Sequence, residues 1–233
     1  PLAGMLANLH PGYIPLSVED LQKTPETDGF QWPCGAPNGA MTYDAQPFGT
    51  PNEKRGGRHT GADLNGIGGE NTDEGQPVHA SARGYVVYCG TPSEDWGNVV
   101  VLAHRLPGTD RIIQTLYAHL KDIHVRRGMP VARGEEIGTI GTAGGRYMAH
   151  LHFEVIESRC TEAGMPGYHP EGGMNRLDPA AFIAQHPAPA VPDIYRAVRL
   201  QRIRAWQGQA PSSANTPAQD GVVPINPVQY LNP

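Results

Sequence analysis

Two residues with metal-binding side chains, His59 and Asp63, stand four positions apart in the sequence. An imidazole nitrogen and a carboxylate oxygen are both good zinc ligands. Gly61 lies between them and permits a close backbone turn, so both side chains can reach one ion. This spacing also arises often by chance, and the pair indicates a metal site only if further ligands join it.

A second pair of candidate ligands, His150 and His152, lies in the apolar segment HLHFEVI. Residues two apart in a β-strand point to the same face of the sheet. We therefore expect the two imidazoles side by side, with Leu151 and Phe153 packing on the opposite face. The alternative is a pair of structural histidines at a sheet surface, because matches to short motifs include false positives.

A third candidate, His119, ends the segment LYAH of a predicted strand. A lone histidine at a strand end usually has a structural role, and we interpret four other histidines of the chain in the same way. These are His79, His104, His124 and His169. By itself, His119 therefore indicates no chemistry.

The segments that carry these histidines have the composition of β-strands. We predict strands at 84–90, 98–104, 111–119 and 150–156, which are rich in β-branched and aromatic residues. The glycine-spaced run 128–141 predicts short strands joined by tight turns. The chain has 29 glycines and 23 prolines among 233 residues, roughly twice the average share, which argues against a helical bundle. The predicted fold class is all-β, with mostly antiparallel sheets.

Composition divides the chain into three predicted regions. Residues 1–54 carry several turn signals, and we interpret them as a loosely structured N-terminal segment. Residues 55–186 hold the predicted strands and the candidate ligands, and form the predicted domain. Residues 187–233 contain eight prolines and are predicted to form a short helix at 192–206 and an irregular Pro-rich tail.

Charge and hydropathy exclude two classes of partner. The net charge of −5 offers no electrostatic attraction for nucleic acid or for an anionic membrane surface. The longest apolar run, 99–103, is too short to span a bilayer, so we expect no integral membrane segment. Because the chain begins at Pro1, without an initiator Met or a signal peptide, we expect a processed or trimmed product.

Four motifs in a fixed order make the sequence resemble one protein family. They are His59-Thr-Gly-Ala-Asp63, Tyr117-Ala-His119-Leu120, the glycine-rich run 134–141 and His150-Leu-His152-Phe-Glu154-Val155. The sequence is similar in this order to the zinc endopeptidases of the lysostaphin and LytM type, which cut peptide bonds in bacterial peptidoglycan. The resemblance covers residues 48–183, well over half of the chain, and four ordered motifs make it specific.

This resemblance implies an open cleft in the β domain, one zinc ion per chain and a peptidoglycan peptide as the substrate. Carried over residue by residue, it makes His59, Asp63 and His152 the zinc ligands and places His119 and His150 at the open coordination position. Three protein ligands plus an exchangeable water are typical of a catalytic zinc site. We assign His119 and His150 jointly to proton transfer and oxyanion stabilisation, with the division between them open.

The main alternative is a non-catalytic member of the same fold that binds the cell wall or activates a hydrolase. The complete set of ligands and histidines favours the enzyme. One departure from the family pattern concerns the loop 66–75, which is longer and more acidic than the usual connection. It either reshapes the rim of the cleft or is a solvated loop.

A remote alternative is a cupin-type metalloprotein. Five residues match the spacing of the first cupin motif, namely Gly144, His150, His152, Glu157 and Gly164. The second cupin motif does not fit the sequence, and a cupin would leave His59, Asp63 and His119 unexplained.

Because peptidoglycan lies outside the cytoplasm, the resemblance implies a periplasmic, secreted or cell-surface location. The three cysteines, Cys34, Cys89 and Cys160, form no CxxC pair, and an oxidising compartment would permit one disulfide among them. The pairing is open, with Cys34 to Cys160 as a working assumption. The sequence does not predict the oligomeric state.

Overall fold

The computed structural model describes residues 13–35, 42–170 and 175–189. The chain divides into two units, Pro1–Ala188 and Pro189–Pro233, and all described residues except Pro189 belong to the first. The predicted helix at 192–206 and the Pro-rich tail lie outside the described residues. The predicted three-region division of the chain stays a prediction.

The described part of the chain consists mainly of β-strands, which confirms the predicted fold class. The strands are β1 Ile14–Pro15, β2 Thr42–Gln46, β3 Pro51–Asn52, β4 Gly57–His59, β5 Ala62–Gly66, β6 Pro77–His79, β7 Gly84–Gly90, β8 Asn98–Arg105, β9 Ile112–Ile123, β10 Pro130–Val131, β11 Glu136–Ile140, β12 Leu151–Glu157, β13 Cys160–Thr161, β14 Tyr168–His169 and β15 Arg176–Leu177. The helices are α1 Val18–Lys23 and α2 Pro179–Gln185, and a 3-10 turn covers Glu53–Arg55.

A ten-stranded sheet forms the centre of the first unit. Its main order is β10–β7–β8–β9–β12–β5–β2, while β11 pairs with both β6 and β9, and β15 pairs with β12. All of these strand pairs are antiparallel. The four strands predicted from sequence correspond to β7, β8, β9 and β12, which are consecutive neighbours in this sheet.

Both faces of the central strands are buried, because apolar side chains occupy successive positions along them. On β8, Val100 and Leu102 pack into one apolar cluster, whereas Val99 and Val101 pack into a second cluster. This alternation follows from the two-residue period of a strand.

Strand β12 presents an apolar face and a polar face. Leu151 and Phe153 pack into the first cluster, as the alternation of the sequence predicts. On the other face, His152 and Glu154 are buried but polar. The sheet therefore places these two side chains on the same side as the second apolar cluster, which contains Trp96.

The interpretation of the N-terminal segment as loosely structured is wrong for residues 13–35. Ser17 caps the N-terminus of helix α1 in a capping box, in which the side chains of Ser17 and Asp20 each accept a hydrogen bond from the other's backbone N–H. Asp20 is buried and pairs with Arg127 at 2.8 Å. Phe30 is 1% exposed and packs edge-on against the ring of Phe182 in α2. Burial of apolar side chains outweighs the turn signals on which the interpretation rested.

The working assumption of a Cys34–Cys160 disulfide is also wrong, because all three cysteines are free thiols. Cys34 is buried in the first apolar cluster, whereas Cys160 belongs to the short β1–β13 pair. Burial raises the pKa of the Cys34 thiol to about 12. No helix among the described residues is long and apolar enough to cross a membrane.

Candidate metal centre

Neighbouring strands bring His59, Asp63 and His152 together. Strand β4 ends at His59, β5 carries Asp63 four residues later, and β5 pairs with β12 so that Asp63 lies directly opposite His152. Gly61 connects β4 to β5, and a Cβ at this position would lie 2.5 Å from the carbonyl oxygen of Phe153. The glycine of the HxGxD motif is therefore required by the close approach of β12 to this turn.

The donor atoms of the three side chains converge. His59 Nε2 lies 3.1 Å from His152 Nδ1 and 3.2 Å from Asp63 Oδ1, and His152 Nδ1 lies 2.9 Å from the same oxygen. Hydrogen atoms on these nitrogens cannot satisfy all three contacts, because each proton serves one contact at a time. A single cation can bind all three atoms at once.

The donor set fits zinc. Tetrahedral ligands at 2.0–2.1 Å from a zinc ion are about 3.4 Å apart, close to the 2.9–3.2 Å separations of these atoms. Two imidazoles and one carboxylate leave one tetrahedral position for water or substrate, as in a catalytic zinc site. Among the described residues these three form the group of His, Cys, Asp and Glu side chains whose donor atoms could hold a metal ion. The other ring nitrogen of His59, Nδ1, is buried and has no hydrogen-bond partner among the described residues.

A buried ionic network contacts the Nε2 side of the His152 ring, opposite the Nδ1 atom that faces Asp63. His152 Nε2 lies 3.1 Å from Glu154 Oε1, which also accepts a hydrogen bond from Thr60 Oγ1 at 2.5 Å. Arg176 reaches the other oxygen of Glu154 at 3.2 Å and also binds Glu162. The ring of His152 is thereby fixed with Nδ1 directed at the metal centre. Carboxylate partners of this kind orient metal-binding histidines and raise their basicity.

The pKa values of the cluster are shifted by these contacts. Burial opposes ionisation of Asp63, but hydrogen bonds to His152 and His59 outweigh it and hold the pKa of Asp63 well below its usual range. Burial would lower the pKa of His152, but Asp63 and Glu154 raise it to about 9. Burial would raise the pKa of Glu154, but Arg176 and His152 lower it to about 2. Both carboxylates are therefore ionised at neutral pH, which favours a divalent cation, and a cation bound at Nδ1 would displace the His152 proton that these carboxylates stabilise.

His119 and His150 lie beside this cluster, and each uses one ring nitrogen, Nδ1, in a hydrogen bond to a backbone carbonyl. His150 Nδ1 lies 2.8 Å from the Met148 carbonyl oxygen, and His119 Nδ1 lies 3.2 Å from the Trp96 carbonyl oxygen. A carbonyl can only accept, so each Nδ1 carries a hydrogen and Nε2 is the ring nitrogen left to exchange a proton. The two ring centres are 4.7 Å apart, and His150 Nε2 lies 3.7 Å from Asp63 Oδ1. Burial, followed by the charges of neighbouring histidines, lowers the pKa of His119 to about 3.

His119 reaches this position through an unusual backbone conformation. Its φ is 62°, in the left-handed region that residues with a side chain seldom adopt. The register between β8 and β9 shifts between Asn98 and Val100, next to this residue, and the His119 N–H donates to the Trp96 carbonyl at 3.0 Å. The sequence carries no signal for this conformation. Strained backbone of this kind concentrates at functional sites.

Aromatic rings surround the histidines. Trp96 stacks on His119 at 6.3 Å between ring centres, on the side of the second apolar cluster. Tyr147 contacts His119 from the opposite loop at 4.8 Å, and Tyr168 lies 5.4 Å from His59. We call Tyr147 and Tyr168 the two tyrosine walls of the site.

A cavity of about 620 Å³ is lined in part by Gly97. Gly97 lies next to His119, because a Cβ added to Gly97 would be 3.7 Å from the His119 Cα. Charged groups of both signs line it, including Lys121 and Glu74, which pair at 3.0 Å. Glu74 belongs to the acidic loop 66–75, in which Asp73 is buried and accepts the Gly66 N–H. Most residues of this loop are exposed, and Glu74 is the loop residue that lines the cavity, so the choice between a cleft rim and a solvated loop stays a prediction.

The structure brings together all five candidate residues, which are His59, Asp63, His119, His150 and His152. Sequence reasoning missed the ionic network and the tyrosine walls. Glu154 had a usable signal, because it stands two residues after His152 in a strand and must share its face. Arg176 had none, since nothing in the sequence relates it to Glu154, 22 positions earlier.

The cupin alternative does not match the geometry. Glu157 faces away from the histidines and pairs with Arg111 at 2.8 Å on the surface.

His104, which the sequence analysis interprets as a structural histidine, is fully buried between the Arg83 carbonyl and Thr115 Oγ1, at 2.8 Å from each.

Known proteins and one family model resemble the β domain of this chain. Residues 57–163 match the model of peptidase family M23. The chain is 32% identical over 127 residues to the DD-carboxypeptidase/endopeptidase Mpg of Neisseria meningitidis serogroup B, covering 54% of the chain and 26% of that protein. It is 35% identical over 81 residues to lipoprotein NlpD of Yersinia enterocolitica, covering 35% of the chain and 77% of that sequence. It is 32% identical over 99 residues to the murein hydrolase activator NlpD of Salmonella dublin, covering 42% of the chain and 23% of that protein.

The chain belongs to peptidase family M23, and the resemblance to the lysostaphin and LytM type of peptidase is thereby confirmed. Two of the three relatives are much longer proteins, of which the chain spans about a quarter.

Proposed function

We propose that the protein is a zinc-dependent endopeptidase that hydrolyses peptide bonds in bacterial peptidoglycan. The observation that carries this proposal is the convergence of three zinc-type donor atoms within 3.2 Å of one another, flanked by two histidines whose Nε2 atoms are left to exchange a proton. The family supports peptidase chemistry. The endopeptidase named among the relatives supports a cell-wall peptide as the substrate class.

In this proposal His59, Asp63 and His152 hold the zinc ion. Zinc lowers the pKa of a water molecule to about 7 and polarises a carbonyl group. Glu154 keeps His152 oriented, and Asp63 contributes the negative charge that favours a dication.

His119 and His150 share the proton transfers. Each keeps its Nδ1 hydrogen on a backbone carbonyl, of Trp96 and Met148 respectively. Each Nε2 can therefore accept a proton from the attacking water and, once protonated, donate to the oxyanion or to the leaving amine. With ring centres 4.7 Å apart, the two histidines are close enough to act on the same carbonyl group. The division of duties between them stays open.

The second candidate function is a non-catalytic module that binds the cell wall or activates a hydrolase. The murein hydrolase activator among the relatives favours it. The complete donor set and both flanking histidines favour the enzyme, because a binding module has no need of a water-activating site. For either function we propose a periplasmic, secreted or cell-surface location, with peptidoglycan peptide as the partner.

Metal analysis and two substitutions test the proposal. Purified protein should contain one zinc ion per chain, and His152→Ala should abolish zinc binding. His119→Ala should retain zinc yet slow hydrolysis of peptidoglycan peptides on the order of a hundredfold or more. His124→Ala is the matched control, since His124 is exposed and paired with Glu136 on the surface, and it should leave both properties unchanged. Full activity in His119→Ala would contradict the assigned role, and a wild-type protein that binds no zinc would contradict the site.

A further inference from the structure

An arginine, Arg55, lies beside the two tyrosines that contact the histidines of the site. Arg55 ends the 3-10 turn Glu53–Arg55, which the side chain of Asn52 caps by accepting the Arg55 N–H at 3.1 Å. The guanidinium carbon lies 5.5 Å from the ring centre of Tyr147 and 5.6 Å from that of Tyr168. Both separations are within the range of cation–π contacts. Arg55 is thus held between the two tyrosine walls by two aromatic faces.

The two walls connect Arg55 to opposite sides of the site. Tyr147 contacts His119, on the side of the proton-transfer histidines. Tyr168 contacts His59, on the side of the proposed ligands, and its hydroxyl accepts a hydrogen bond from Gln46 at 2.8 Å. One aromatic ring therefore separates the guanidinium group from His119 and one from His59, and a peptide bound at the donor atoms can extend to it.

The guanidinium group of Arg55 has hydrogen-bonding capacity to spare. Within the described part of the chain its side chain makes one hydrogen bond, from Nη1 to the Tyr147 hydroxyl at a long 3.4 Å, and no carboxylate there lies within 4.0 Å of it. Arg146, which lines the cavity nearby, is by contrast paired with Glu94 and Asp95. An arginine held by aromatic stacking, with a planar fork of free donors, matches the geometry of a carboxylate.

We propose that Arg55 is a substrate-binding residue that recognises a free carboxylate on the peptide, close to the bond that is cut. This inference rests on the proposed function and specifies its substrate class as peptides with a free acid near the scissile bond. Two sources share this chemistry, a C-terminal α-carboxylate and the side-chain carboxylate of an acidic residue. Stacking between the walls keeps the fork oriented before substrate arrives, which reduces the entropy lost on binding.

The test compares acid and amide forms of one peptide. Synthetic peptidoglycan peptides would be prepared as the free acid, as the C-terminal amide and as the side-chain amide. With wild-type protein, amidation of the recognised carboxylate should reduce kcat/KM about tenfold to a hundredfold, mainly through KM, because charge-assisted hydrogen bonds are lost. The position at which amidation has this effect identifies the source of the carboxylate.

Variants at two adjacent positions complete the design. Arg55→Gln should reduce kcat/KM for the free acid by the same factor and should no longer distinguish acid from amide, as expected for two groups in direct contact. Arg55→Lys should restore part of the preference, because it keeps the charge but not the fork. Lys54→Gln is the matched control, since Lys54 is an exposed cation in the same turn, and it should behave as wild type.

The binding readout separates this inference from the proposed function. Dissociation constants of the same peptides for zinc-loaded His119→Ala, with and without Arg55→Gln, report on Arg55 without hydrolysis. If wild type cleaves none of the peptides but binds the acid more tightly than the amide in an Arg55-dependent way, carboxylate recognition by Arg55 stands and the enzymatic proposal fails. Equal discrimination between acid and amide with and without Arg55 overturns the inference, as does higher activity of Arg55→Gln, which would make Arg55 an obstruction.

Discussion

Replacement of Glu154 by Gln tests whether the buried network prepares the metal centre. The substitution keeps the size of the side chain and removes its charge. In the native structure Glu154 accepts hydrogen bonds from His152, Thr60 and Arg176. Glutamine can keep one or two of these contacts, but it leaves Arg176 with Glu162 as its remaining anionic partner.

The expected loss has two parts. Removal of a carboxylate behind a metal-binding histidine weakens metal affinity about tenfold to a hundredfold, or about 1.4 to 2.7 kcal/mol. Glu154 and Arg176 are almost fully buried, and breaking a buried pair by removing one partner costs about 3 to 5 kcal/mol of folding stability. Because Arg176 retains Glu162, we expect a loss near 3 kcal/mol. The protein should therefore remain folded in buffer but bind zinc more weakly.

Chelator competition at fixed pH measures the zinc affinity, and urea unfolding of the zinc-loaded and metal-free forms measures the stability. Glu157→Gln is the matched control on the same strand. Glu157 faces the surface and pairs with the half-exposed Arg111, so its loss should change stability by at most about 1 kcal/mol and zinc affinity not at all. Equal zinc affinities for Glu154→Gln and Glu157→Gln would refute the role of the network.

Two further substitutions probe the framework of the site. Gly61→Ala would place a Cβ 2.5 Å from the Phe153 carbonyl oxygen, and we expect it to destabilise the fold by more than about 2 kcal/mol and to weaken zinc binding. Gly167→Ala is the control, because the nearest contact of its added Cβ is at 3.7 Å. It should have little effect in the same urea and chelator assays. Burial lowers the pKa of His104 to about 4 from 6.5. As the pH falls, the His104 side chain of the unfolded chain is therefore protonated before that of the folded protein. The contribution of His104 to the free energy of unfolding is complete above pH 6.5, and up to about 3 kcal/mol of it is lost as the pH drops towards 4. Urea unfolding of wild type and His104→Gln between pH 7 and 4.5 should show a shallower pH dependence in the variant, and identical slopes would contradict the prediction.

The core of the site was predictable because each part of it depends on local geometry. The two-residue period of a strand places His150 and His152 on one face and Leu151 on the other, and glycine at position 61 permits the turn that joins His59 to Asp63. These rules act over a few residues. The order of the motifs then identified the family, and with it the way the three segments meet.

The parts that sequence analysis missed depend on contacts between distant segments. Arg176 reaches Glu154 only because β15 pairs with β12, and no local pattern predicts that pairing. The left-handed backbone of His119 arises from a register shift between two strands. The packing of residues 13–35 follows from the burial of Phe30 against α2, which outweighs the turn signals. The Cys34–Cys160 pairing failed because cysteine count alone carries no information about distance.

Mass spectrometry of fragments released from purified peptidoglycan tests the central claim most directly. The protein would be stripped of metal, divided, and assayed with and without one equivalent of zinc, beside zinc-loaded His119→Ala. We predict that zinc-restored wild type releases fragments cut at one kind of peptide bond, that the metal-free protein releases none, and that the variant releases them on the order of a hundredfold more slowly. Zinc-loaded wild-type protein that leaves every peptide bond intact would contradict the claim and favour the non-catalytic module.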